Sequence, residues 1–110
     1  MISKAFRLSR KEAESLKNGK SVFTTLISLR YLSSPHAQFS VSVSKKVAKQ
    51  AVDRNFIRRR CYRALEENIT TIKTPAKVMI FPKKEAKKVS YKNLVTDIRE
   101  ALIKAGIISK

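Results

Sequence analysis

Cationic side chains are concentrated in one segment of this chain, between residues 45 and 63. Arginine predominates toward the end of the segment, and its guanidinium grips phosphate through paired N–H donors and stacks on bases. A cationic face is in many proteins only a solvated surface, so this alternative stands beside a nucleic-acid-binding surface. The candidate RNA-binding residues are Lys45, Lys46, Lys49, Arg54, Asn55, Arg58, Arg59, Arg60 and Arg63.

A helix is predicted to carry most of these cations, starting at or a little before Asp53 and running to about Asn68. The short carboxylate of Asp53 suits an N-cap and the positive end of the helix dipole. Apolar side chains recur at intervals of three and four residues, which places them on one buried face. They are Ile57, Cys61, Ala64 and Leu65.

The cations are expected on the other side of this helix. At about 100° per residue, Arg59, Arg60 and Arg63 fall roughly opposite the apolar face, and Arg54 and Arg58 lie along its margin. The helix is therefore predicted to bury one side and to offer cations to a partner on the other.

The charge of the whole chain favours an acidic partner. Its 110 residues include 25 Lys and Arg against 8 acidic residues, a formal charge of +17. Binding a polyanion relieves the self-repulsion of so many cations. No stretch approaches the roughly 20 apolar residues of a membrane-spanning helix, and no signal-peptide core is visible. We expect a cytoplasmic protein without a membrane partner, and the single cysteine fits a reducing compartment.

Catalytic or metal-binding patterns are weak in this sequence. His36 has no second ligand at metal-binding spacing and is interpreted as a surface residue. Cys61 lies in the apolar face and is interpreted as a small buried hydrophobe. Close carboxylates occur on predicted helices beside cations, and we interpret them as solvated charges; they are Glu12 with Glu14 and Glu66 with Glu67. The polypeptide by itself is not predicted to be catalytic, and no bound cofactor is expected.

The N-terminal half predicts a short helix followed by strands. Ser9 and Glu12 have the spacing of a capping box, so a helix is expected from Ser9 to about Asn18. Residues 21–32 alternate with period two and predict one half-buried strand. After a turn, residues 39–44 alternate again, and the two strands are predicted to form an antiparallel hairpin or meander.

The C-terminal half predicts a strand and a last helix. The continuous apolar run at residues 78–81, ended by Pro82, is typical of a strand inside a sheet and buried on both faces. A second basic loop, at residues 83–88, follows it. Ser90 is the expected N-cap of a helix whose apolar pattern continues until Gly106. These elements predict an α+β domain with helices packed on one sheet.

The basic segment and the strand before it form a specific pattern. Residues 39–44, then Lys45-Lys46-Val47, then Ala51-Val52-Asp53-Arg54-Asn55, and finally Ile57-Arg58-Arg59 with Arg63 resemble the protein subunit of bacterial ribonuclease P. The similarity covers the organisation of nearly the whole chain. It implies one domain over residues 1–110 with an αβββαβα order, in which two parallel strands are joined through the arginine-rich helix by a rare left-handed crossover.

The resemblance also implies a function. In that family a ribonucleoprotein endonuclease removes the 5′ leader from precursor tRNA, and the RNA subunit performs the hydrolysis with bound Mg²⁺. The arginine-rich helix and its preceding loop contact the RNA subunit, which assigns that role here to the candidate residues named above. A cleft between the sheet and neighbouring helices receives the single-stranded leader; the residues expected there are Phe23, Arg30 and Tyr31. No obligate protein partner is evident.

Two departures from the family pattern are visible. The signature usually reads Arg-Asn-Arg, whereas this chain has Phe56 after Arg54 and Asn55, so the role of the third cation is expected to pass to Arg58 or Arg59. The first helix of the family usually carries an aromatic residue toward the leader, and this chain has none at that place. Base stacking is expected from Phe23 or Tyr31 on the strand instead.

Two other functions remain open from the sequence. A small basic ribosomal protein would show the same charge and similar helices. A DNA-binding protein could use the arginine helix for recognition, but the strands before it do not resemble a three-helix module. Catalytic RNA, ribosomal RNA and duplex DNA are the respective partners to distinguish.

Overall fold

The computed structural model describes Leu8, residues 15–68 and residues 72–108. The predicted first helix falls mostly outside these residues, and the described part of it is a 3₁₀ helix at Ser15–Asn18. A further 3₁₀ helix spans Lys84–Lys87. The longer elements are β1 (Lys20–Phe23), β2 (Ile27–Ser33), β3 (Gln38–Val41), α1 (Ala51–Asn68), β4 (Ala76–Pro82) and α2 (Tyr91–Lys104).

The four strands form one sheet in the order β1-β2-β4-β3. β2 is antiparallel to β1 and β4, and β3 is parallel to β4. The predicted pairing of the strand at residues 21–32 with the strand at residues 39–44 is therefore wrong, because β4 lies between them. The parallel β3–α1–β4 connection confirms the parallel crossover through the arginine-rich helix that the family resemblance implies.

The predicted single strand at residues 21–32 is interrupted by a tight turn. The Thr24 N–H donates to the Ile27 carbonyl at 3.0 Å. The carboxylate of Asp97, on α2, accepts from the backbone N–H of Leu26 at 3.1 Å and from the Thr24 hydroxyl. A residue more than seventy positions away in sequence thus stabilises the turn, and the local alternation pattern carries no sign of it.

The hydrophobic core lies between one face of the sheet and the two helices. Ile57, Cys61, Ala64 and Leu65 of α1 are all buried, which confirms the predicted face, and the prediction missed that Tyr62 is buried too. β4 is central, as predicted, but it is not buried on both faces. Its residues alternate strictly, with one set buried in the core and the other half-buried on the outer face of the sheet. The half-buried set is Lys77, Met79 and Phe81.

The boundaries of both helices follow local chemistry. α1 begins at Ala51, so Asp53 lies in its first turn and is not the N-cap, although a carboxylate there still faces the positive end of the helix dipole. The Ser90 side chain accepts from the Asn93 N–H at 3.2 Å and caps α2, as predicted. Gly106 follows with a φ of 76°, which glycine adopts at little cost, and the helix ends there.

Cys61 is a buried core residue with no exposed side-chain surface. Burial raises the pKa of its thiol to about 12, while the nearby Arg60 acts weakly in the opposite direction. The thiol therefore stays protonated at neutral pH, which agrees with its interpretation as a small hydrophobe.

Candidate RNA interface

The arginines of α1 differ in how much of each side chain faces solvent. Arg59 and Arg63 are exposed, while Arg54, Arg58 and Arg60 are half-buried. Arg59 forms no hydrogen bond or ion pair with another residue in the described ranges. Arg59 and Arg63 therefore offer the guanidiniums on this helix that are most available to a phosphate.

Arg54 connects the helix to the basic loop before it. Its Nη1 donates to the backbone carbonyls of Ala48 at 3.1 Å and Lys49 at 2.7 Å. These two bonds hold the end of the loop against the first turn of α1. Arg54 thus acts on the position of the loop, whose side chains Lys45, Lys46 and Lys49 are exposed.

Arg58 and Asn55 form a pair one helical turn apart. The Nη1 of Arg58 donates to the Asn55 Oδ1 at 2.6 Å. Asn55 is exposed, and this bond uses its carbonyl oxygen, so its amide N–H₂ group is the donor that would contact a phosphate or a base edge. The pair lies on the margin predicted for Arg58.

Arg60 lies in the seam between the two helices rather than on the fully solvated side where it was predicted. Its Nη2 donates to the Val89 carbonyl at 3.0 Å, just before α2 begins. Its guanidinium lies 5.4 Å from the ring centre of Phe56 and 6.0 Å from that of Tyr91. Arg63 lies 5.6 Å from the Tyr91 ring, and the Tyr91 hydroxyl donates to the Glu67 carboxylate. These contacts form an aromatic-arginine cluster at the surface.

The two basic loops converge beside the start of α1. They line a shallow depression of about 440 Å³ that contains one carboxylate, Asp53, 4.0 Å from the Lys87 Nζ. The sequence showed two separate basic segments, and the fold brings them to one place. Lys83 belongs to the second basic loop but does not line the depression. Its Nζ donates to the Thr24 carbonyl at 2.6 Å and lies over the Phe23 ring at 5.9 Å. The lysines of the depression are Lys46, Lys49, Lys84, Lys87 and Lys88.

The residues predicted for the leader cleft are divided between the two faces of the sheet. Phe23, which is 65% exposed, and Arg30 line a depression of about 260 Å³ on the outer face, together with Phe81. Tyr31 alternates with Arg30 along β2 and packs against the core on the inner face. The structure therefore brings Phe23 and Arg30 together and separates Tyr31 from them.

Several residues of these surfaces were missed as site residues. Phe56 and Tyr91 belong to different helices, and their proximity depends on how α1 packs against α2. Phe81 was predicted to be buried, but the strict alternation of β4 brings it to the outer face. The basic character of residues 83–88 was visible in sequence; their position beside Lys46 and Lys49 was not.

The described residues include neither a membrane-crossing helix nor a cluster of metal ligands. None of the helices described combines the length and apolarity needed to cross a membrane. Within residues 15–68 and 72–108, no group of three His, Cys, Asp or Glu residues is placed so that it could hold a metal ion.

Comparison with known proteins identifies the family. The Ribonuclease P family model matches residues 3–106. The chain belongs to the ribonuclease P protein family. It is 35% identical over 94 residues to the ribonuclease P protein component of Thermus brockianus, covering 84% of this chain and 55% of that protein. It is 34% identical over 88 residues to the component of Microcystis aeruginosa, covering 76% and 72%. The chain thus spans only a little over half the length of the Thermus relative.

Solved structures agree on the fold. The ribonuclease P protein of Staphylococcus aureus superimposes with a TM-score of 0.83 at 22% identity, over 96% of this chain and all of that one. The protein of Thermotoga maritima gives a TM-score of 0.80 at 18% identity, over 89% and 96%. The predicted α+β ribonuclease P protein-like fold is confirmed.

Proposed function

We propose that this chain is the RNA-binding subunit of a ribonuclease P holoenzyme and assists a catalytic RNA in removing the 5′ leader from precursor tRNA. Family membership supports the process, and the convergence of the two basic loops beside the arginine face of α1 carries the proposal. That surface gathers cations from segments far apart in sequence into one patch wide enough for several phosphates.

The basic patch beside α1 is assigned to the RNA subunit. Arg54 fixes the end of its loop through two backbone carbonyls, so the backbone that carries Lys49 is held in place before RNA binds. Preorganisation lowers the entropy lost on binding. Arg59 and Arg63 extend the patch along the helix with planar donors suited to phosphate.

The outer face of the sheet is assigned to the precursor tRNA leader. Phe23 offers an exposed ring for stacking and Arg30 a cation for the backbone, the combination that single-stranded RNA needs. This depression and the basic patch are lined by different residues. One protein could then contact the RNA subunit and the leader together.

The chemistry is assigned to the RNA subunit, where bound Mg²⁺ would activate the attacking water and stabilise the leaving oxygen. The protein supplies positive charge near phosphates that would otherwise repel one another. In this proposal its side chains bind and orient RNA and do not transfer protons.

Binding of catalytic RNA should depend strongly on salt. Each phosphate neutralised contributes about −0.7 to −0.9 to the slope of log K against log salt concentration. If about five contacts form, the slope is about −4. Titration of the catalytic RNA, ribosomal RNA and duplex DNA against the protein at several salt concentrations measures it. A slope shallower than about −2, or a preference for ribosomal RNA or duplex DNA, would contradict the proposal.

Arg59→Ala and Arg63→Ala should each weaken binding of the catalytic RNA by about 1 to 3 kcal/mol, the cost of losing a charge-assisted hydrogen bond. Both side chains are exposed, so the melting temperature should barely change. Arg99→Ala is the matched control, because it removes an exposed cation from the other helix, α2. Equal losses for all three variants would mean that only net charge matters.

A further inference from the structure

An exposed aromatic ring lies in the middle of the arginine face of α1. Phe56 is 57% exposed, although its neighbours along the helix at positions 59, 60 and 63 are all arginine. Large apolar side chains gain free energy when they leave water, and an exposed one flanked by charges is available to a partner. An exposed ring with cations beside it suits a ligand that has an apolar surface and also carries negative charge.

The guanidinium of Arg60 packs against the Phe56 ring and is itself held in place by a hydrogen bond. Arg60 lies over Phe56 at 5.4 Å and over Tyr91 at 6.0 Å, and the Val89 carbonyl holds its Nη2 at 3.0 Å. The Tyr91 ring is held in turn by Arg63 and by the hydrogen bond to Glu67. Groups on α1 and α2 thus fix the orientation of the Phe56 ring, which is the platform on which a base would stack.

The surroundings of the platform match a nucleotide. Phe56, Arg59, Arg60, Arg63 and Tyr91 line an open depression of about 350 Å³. Its floor is aromatic, and Arg59 and Arg63 at its rim are exposed to solvent. A base has a flat apolar face with phosphates on either side, and base-aromatic stacking beside cations is how proteins bind unpaired bases. An apolar protein surface would bury the rim cations without neutralising them, which is costly.

We propose that Phe56, supported by Arg60 and Tyr91, is a stacking site for one unpaired nucleobase, with Arg59 and Arg63 on the flanking phosphates. The inference deepens the proposed function and rests on it, because it assigns an unpaired nucleotide of the RNA partner to the arginine face. At the position where the family signature usually has a third cation, this chain has Phe56, whose ring would stack on a base. Stacking is tolerant of sequence, so any of the four bases could occupy the site.

The test uses the full chain and a hexauridylate RNA with one central 2-aminopurine, whose neighbours stack on it weakly and whose fluorescence falls when the base stacks. The wild-type protein should bind it and quench it. Phe56→Leu keeps size and apolarity but removes the ring, and it should weaken binding by about 5-fold or more and reduce the quenching. Phe56→Trp should restore both. Val52→Ala, at another exposed apolar position on α1, is the matched control and should leave both unchanged.

A hexamer that is abasic at every position separates the ring from the charges. Wild type and Phe56→Leu should bind it equally, because phosphate contacts alone remain. The inference is overturned if wild type does not quench the probe, or if Phe56→Leu binds and quenches it like wild type. If the probe behaves as expected but the protein neither binds nor assists the catalytic RNA, the stacking site stands and the proposed function fails. If the protein binds catalytic RNA and Phe56→Leu does not change the binding of either RNA, the proposed function stands and the stacking site fails.

Discussion

Replacement of Leu65 by alanine is expected to lower the free energy of unfolding by about 2 to 5 kcal/mol. Leu65 is 1% exposed and lies in the core between α1 and the sheet. Truncation removes buried methyl groups and leaves a cavity that the surrounding side chains fill only in part. Chemical denaturation of the wild type and the variant measures the difference.

Arg59→Ala is the matched control for this loss. It changes the same helix to the same residue, and the helix propensities of leucine and arginine are similar. Since Arg59 is exposed, the free energy of unfolding of the Arg59→Ala variant should differ from that of the wild type by no more than about 0.5 kcal/mol. Leu65→Ala should bind RNA normally under conditions where it remains folded. The assignment of faces on α1 is wrong if the arginine variant unfolds the protein and the leucine variant does not.

The elements of this fold that the sequence predicts well are those whose pattern is local. α1 and α2 were located within a few residues because their apolar positions repeat at helical spacing and Ser90 caps the second helix. The partners of the strands could not be predicted in the same way. β3 and β4 are separated by α1 and pair in parallel, which no alternation pattern records.

The candidate site shows the same division. The cations were evident from composition, but their roles depend on tertiary contacts. Arg54 is bonded to loop carbonyls and Arg60 to the Val89 carbonyl, so both are less available than Arg59 and Arg63. Phe23 is on the outer face, away from Tyr31, because β1 ends there and a turn pairs Phe23 with Ser28 of β2. A single continuous strand would have implied a different set of neighbours.

Under the proposed function, addition of this protein to a ribonuclease P RNA is expected to lower the Mg²⁺ concentration needed for cleavage of precursor tRNA. Cations on the basic patch would replace part of the Mg²⁺ that otherwise screens the phosphates. A single charge-assisted contact to the leader contributes about 1.5 to 3 kcal/mol. That is equivalent to about tenfold or more in substrate affinity. The effect should therefore be largest at low Mg²⁺ and should diminish as Mg²⁺ rises.

Cleavage of a precursor tRNA with a 5′ leader, measured across a Mg²⁺ titration, tests whether the protein assists a catalytic RNA. The reactions contain catalytic RNA alone, RNA with protein, and protein freed of all RNA. Efficient removal of the leader at low Mg²⁺ is expected only when RNA and protein are together, and no cleavage is expected from protein alone. Magnesium-dependent cleavage by the RNA-free protein, or identical titrations of the RNA with and without protein, would show that the protein does not assist a catalytic RNA.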